Sequence, residues 1–148
     1  MPGAFFSVGD PHAAQGDSQL GGTASENSLT GDFEFILHKK AELGGTVLEG
    51  LTHPMLETDN AWSVYGFTYP NYLAELGPDA QTEIANHSSL ARAMRDAFRT
   101  LRRFLITVHH LHEAEAIPLL RVGAGGGVPQ GADAHGGAPA RTPQTVIP

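Results

Sequence analysis

Asp10, His12 and Asp17 fall in one short stretch, VGDPHAAQGDSQ, punctuated by Gly9, Pro11 and Gly16. Two carboxylates and an imidazole at this spacing suggest three kinds of chemistry. They are a hard-ligand set for Zn²⁺ or another divalent cation, because the glycines let the backbone fold sharply enough for the side chains to converge. Without a metal, a carboxylate could take a proton from water while His12 serves the leaving group. Gln15 and nearby backbone N–H groups could then hold an oxyanion. The plainest reading is a turn in which both aspartates accept from neighbouring N–H groups and His12 is exposed.

These residues need elements to position them, and the chain divides into three regions. Residues 1–70 read as β-structure with tight turns. Ala4-Phe5-Phe6-Ser7-Val8 is a short apolar run that stops at Gly9-Asp10-Pro11. Gly22 to Glu26 is a second strand candidate. Phe33, Phe35 and Leu37 alternate with Glu34, Ile36 and His38, the pattern of a strand with one buried face. Met55-Leu56-Glu57 and Trp62 to Phe67 are further strands, joined by a turn at Thr58-Asp59-Asn60.

Residues 71–121 read as helix. Asn71 caps a short helix through Leu76, and Ser88 or Ser89 caps the main one. Leu90, Met94, Ala97, Phe98, Leu101, Leu105 and Val108 form an apolar stripe that should lie on the sheet. A second helix is expected over about His112–Leu120, although Pro118 is costly in a helix interior, by about 3 kcal/mol. Beyond Leu120 the pattern fades. Gly, Ala and Pro make up sixteen of the twenty-six residues 123–148, so an irregular or disordered tail is expected there.

The 148 residues suit one domain with a real core. There is no cysteine, so neither disulfides nor thiolates hold the fold, which fits a reducing compartment. The first residues lack a basic, then apolar, leader, and no apolar run approaches the roughly 20 residues of a membrane span. A cytoplasmic protein is expected. The net charge of −7 argues against general nucleic-acid binding.

That charge is uneven. Five of the nine Lys/Arg residues lie between Arg92 and Arg103, whereas twelve of the sixteen acids precede Arg92. The arginine face could meet phosphate or an acidic partner, but it is expected to be solvated or to touch the acidic β-region. His109, His110 and His112 invite a metal reading, but the expectation is histidines near a helix C-terminus, where the dipole favours positive charge. Phe5, Phe6 and Leu20 near the loop read as ordinary core, or as walls of a small pocket.

The stretch GDPHAAQGDSQ, followed by GGTASE, resembles the acetamidase/formamidase signature, which reads close to GDxHAxQGDGE and then GTAxE. The likeness continues through LTGDFEFILHKKAELGGTVLEG, WSVYGFTYPNYLAEL and the helical AMRDAFRTLRRFLITVHHLHEAEAIPLL. It is strongest to the fungal and actinobacterial branch. The resemblance implies an α+β fold, a β-rich sandwich-like sheet packed on a C-terminal helical pair. Residues 1–122 would correspond to the C-terminal part of such a domain. It implies hydrolysis of short linear amides to a carboxylate and ammonia, with Asp10, His12, Asp17 and Glu26 as catalytic residues. Gln15 and Gln19 would contact substrate. A divalent metal, most plausibly zinc, would be held by His12, Asp10 and Asp17.

Four departures accompany the match, the first being that the family's apolar strand after the helical pair has become Gly, Ala and Pro from Gly123 on, like a decayed strand. Gln19 stands where the family usually has an acid, and an amide cannot act as a general base. Ser25 replaces a larger aliphatic residue. Family members extend further on the N-terminal side, so the resemblance implies a truncated chain with an unpaired sheet edge. The expected partners are a small amide and either a second copy or a full-length relative, with no nucleic acid and no membrane. The alternative expectation is a non-catalytic remnant that keeps the fold and acts as an interaction or oligomerisation module.

Overall fold

The structure, a computed structural model, describes residues 6, 8–9, 11–14, 25–46, 48–51, 54–127 and 137–147. It is α+β, as expected: two antiparallel sheets, of two and four strands, with four helices. The small sheet pairs β1 (His12–Ala14) with β2 (Ser25–Glu26). The larger sheet has the order β3-β4-β6-β5. Its strands are β3 (Met55–Thr58), β4 (Ala61–Gly66), β5 (Gly125–Gly126) and β6 (Ala138–Pro143).

The β3–β4 hairpin forms where the sequence places it. Its turn is closed by the Thr58 side chain, which accepts from the Ala61 N–H at 3.1 Å. β4 is covered on both faces, and Val64 is fully buried. The helices are α1 (Tyr72–Leu76), α2 (Ala80–His87), α3 (Leu90–Val108) and α4 (Glu113–Gly123).

Ser89 is the N-cap of α3, its hydroxyl accepting from the Arg92 N–H. Buried Thr68 fixes where that cap sits. Its hydroxyl accepts from the Ser89 N–H at 2.9 Å and donates to the Ser89 carbonyl at 3.2 Å. The end of β4 is thereby stitched to the start of α3. The stripe then lies on the sheet: Ala97, Leu101, Phe104 and Leu105 join Trp62, Val64 and Ala140 in one core. Leu90, at the helix start, is the exception and stays 42% exposed. α4 contributes Ala116 to the same core. Its first turn is closed by Glu115, whose carboxylate accepts from the His112 N–H at 2.8 Å. Pro118 does not end the helix, because half-buried Leu119 and Leu120 behind it pack on the core.

Three expectations are corrected. First, residues 27–39 form no strand, and Phe33, Phe35 and Leu37 are 58%, 68% and 77% exposed. Alternation makes a strand only where a second strand supplies the hydrogen bonds, and none pairs here among the described residues. Second, the tail is not irregular over 137–147. β6 is a central strand with Ala138, Ala140 and Thr142 buried. Its prolines survive there because of register. The carbonyl of Pro139 accepts from the Gly127 N–H, so residues of its parity face the two-residue β5. The Gln144 N–H, of the other parity, donates to the Asn60 carbonyl beside β4. The missing donors of Pro139 and Pro143 therefore point away from the long β4 ladder. Third, the region read as helix holds one helix more than the three expected in it, namely α2. Of the side chains described in it, only Ala80 and Ile84 are buried, too few for a legible stripe.

Of the Ala4–Val8 strand candidate, Phe6 and Val8 are described, and both are exposed and outside any strand. The first part of the Gly22–Glu26 candidate lies outside the described residues, and its end is β2.

Candidate active site

Two of the expected catalytic residues are described, and they occupy opposing positions. In the β1–β2 ladder His12 pairs with Glu26. The Asn27 N–H donates to the Pro11 carbonyl at 3.0 Å, just outside that pair. His12 and Glu26 are therefore a non-hydrogen-bonded antiparallel pair, the kind whose side chains stand closest, with Cβ atoms about 4.5–5.5 Å apart. Both project from the same face. The register slips between His12 and Ala14, an irregularity that turns the strand immediately after the imidazole. His12 is half-buried and Glu26 exposed. An imidazole and a carboxylate so arranged can share a proton or bind one ligand between them.

Asp10, Gln15, Asp17 and Gln19 lie outside the described residues, as do Phe5 and Leu20. Among the described residues no group of three or more His, Asp or Glu side chains is placed to hold a metal ion. Phe6 is 59% exposed and is not core. Its ring meets Phe35 edge-on at 4.7 Å and Phe33 at 5.7 Å, so these aromatics form an exposed cluster.

His109 departs from the dipole expectation. The His109 ring packs 5.3 Å from Phe104 and 6.3 Å from Trp62. Its Nε2 is buried with no hydrogen-bond partner among the described residues. Burial, and secondarily the charge of His110, push its pKa below the usual histidine value. Burial thus favours the neutral form of His109, whose ring packs as part of the core edge.

Sequence reasoning identified the arginine face of α3 but not its shape. Two adjoining hollows, about 390 and 650 Å³, open along it and share Pro70, Asp96 and Arg99. The arginine spacing is legible in sequence. The wall formed by Phe67, Thr68 and Pro70 exists only because β4 ends beside α3.

Among the described residues no helix is long and apolar enough to cross a membrane. No family model and no curated protein matches the chain.

Proposed function

We propose that the chain is a hydrolase of the carbon–nitrogen bond in short linear amides such as formamide and acetamide, of the acetamidase/formamidase type and cytoplasmic. The observation that carries this reading is the His12–Glu26 pairing. It sets the histidine of the GDPHAAQGDSQ loop against the carboxylate of the following GTASE run, the two segments on which the resemblance rests.

The reaction makes clear demands. An amide carbonyl is a weak electrophile and amide anion cannot leave. A carboxylate, Glu26 or an aspartate of the loop, takes a proton from water as its oxygen bonds to the carbonyl carbon. His12 delivers a proton to the nitrogen, the C–N bond breaks, and ammonia and a carboxylate result. Gln15 and Gln19 would orient the small substrate. An imidazole with two carboxylates suits zinc by its donor chemistry; were His12, Asp10 and Asp17 to hold the ion, it would polarise the carbonyl, and Glu26, having taken the proton from water, would pass it to the nitrogen in place of His12.

Ammonia release from formamide and acetamide, with and without added Zn²⁺, tests the proposal. Wild type is expected to release ammonia, and His12→Ala and Glu26→Gln to lose about 10²–10⁴-fold. No release by folded wild type under either condition overturns it. The exposed Phe33, Phe35, Ile36 and Leu37 favour a second reading, a non-catalytic interaction module that pairs with a second copy or a longer relative. Sedimentation showing a stable assembly, together with inactivity, would decide for it.

A further inference from the structure

Every basic side chain between Leu90 and Val108 is an arginine, at positions 92, 95, 99, 102 and 103. The steps of three and four put them along one side of α3, while Ala93, Ala97, Leu101 and Leu105 bury the other. The row lines the two adjoining hollows, so it is concave and has walls. Phe67, Thr68 and Pro70, just after β4, form one side, and Ile106 with Glu113 closes the far end.

Three acids share the lining, so its five arginines leave a surplus of two positive charges, and each acid already holds a partner. Asp96 accepts from the Phe67 N–H at 3.1 Å, and Glu75 accepts from the Asn71 N–H at 2.9 Å. Glu113 is ion-paired to Arg102. The Arg92 guanidinium lies over the Tyr69 ring, 4.6 Å from its centroid. That leaves Arg95, Arg99 and Arg103 without a carboxylate partner among the described residues. Like charges one helical turn apart repel, and this repulsion is relieved by an anion that reaches several of them.

The shape of the row selects the anion. From Arg92 to Arg103 it runs about 16 Å at the rise of an α-helix. A compact anion such as inorganic phosphate engages two guanidinia and leaves the others unpaired. An extended peptide covers the row in about five residues and sets alternate side chains about 6.8 Å apart, within reach of long arginines at successive turns. Guanidinium forks match carboxylates in a bidentate fashion, which lysine does not offer. We propose that the arginine-lined hollow of α3 is a docking groove for an extended acidic peptide with carboxylates at alternate residues, gripped by Arg95, Arg99 and Arg103.

The test uses the full chain and a fluorescein-labelled Glu-Ala-Glu-Ala-Glu peptide, followed by anisotropy across a salt series. Binding is expected at low salt and should weaken steeply as salt rises. The double variant Arg95→Gln/Arg99→Gln should bind about a hundredfold more weakly, about tenfold for each lost charge-assisted contact. Arg121→Gln, outside the hollows, should bind as wild type does. Because Arg95 and Arg99 are exposed, the double variant is expected to keep the wild-type circular dichroism and melting curve. If it does not, Arg103→Gln alone carries the test, with about a tenfold loss expected. The proposal is overturned by absence of binding at low salt, by equal binding of the folded double variant, or by tripolyphosphate binding more tightly than the peptide.

Discussion

Gly66 on β4 and Ala97 on α3 touch backbone to backbone: a Cβ built on Gly66 would stand 2.7 Å from the Ala97 Cα and would overlap the backbone of Ala93 and Ala97. That contact sets how closely the helix lies on the sheet. It lets Val64 and Ala140 meet Leu101 and Leu105 in a single core.

Gly66→Ala is therefore expected to destabilise the protein by about 3 kcal/mol, since the obstacle is backbone that cannot rotate away. Gly44→Ala is the control. A Cβ there meets nothing within 4 Å, so little change is expected. Urea denaturation of the two variants against wild type gives the comparison.

His110 sits between α3 and α4 in the left-handed region, with φ of 56°. The chain turns back there, and the Leu111 N–H reaches the Leu105 carbonyl at 3.4 Å. A residue with a Cβ is strained in this conformation by about 1 kcal/mol, and glycine is not. His110→Gly should raise stability by about that amount, read as an increased denaturation midpoint.

His109 predicts a pH dependence. Its folded pKa lies below the unfolded value of 6.5, chiefly through burial and then through His110. Below that unfolded value the unfolded chain takes up the proton first. Stability is thus complete above it and is lost as pH falls through the folded pKa. His109→Phe, which keeps a ring beside Phe104 and Trp62, should remove this part of the acid sensitivity. It should also gain about 1 kcal/mol near neutrality by eliminating the unpaired Nε2. Denaturation midpoints of both proteins between about pH 5 and about pH 8 test the sign.

If the amidase proposal is right, Gln19→Glu restores the acid that the resembling family carries in the loop. Ammonia release should then rise about 10²–10⁴-fold, the usual weight of one acid–base group. An unchanged rate in an active wild type would mean that Gln19 is not the limiting departure.

Much of the framework was legible because large side chains announce burial. Trp62, Leu101 and Leu105 stand at strand or helix spacing, and Ser89 marks the start of α3 by a cap whose geometry is local. The same signal misled at Phe33, Phe35 and Leu37. Their alternation is that of a strand, but no neighbouring strand answers it among the described residues. Of the candidate site, sequence identified His12 and, through the resemblance, Glu26, without saying that they oppose each other.

Local spacing alone thus determined the hairpin at Thr58–Ala61, the long amphipathic helix with its arginine face, and the chemistry grouped around His12. Only the tertiary structure decided that β6 is a central strand, that His12 stands opposite Glu26, and that the arginines line a hollow. Ala138 and Ala140 carry no hydrophobic periodicity worth reading, since they are buried by the close approach of α3 rather than by their own size. Pairing across a sheet and the walls of a groove join residues far apart in sequence, and no local pattern encodes which segment will supply the other side.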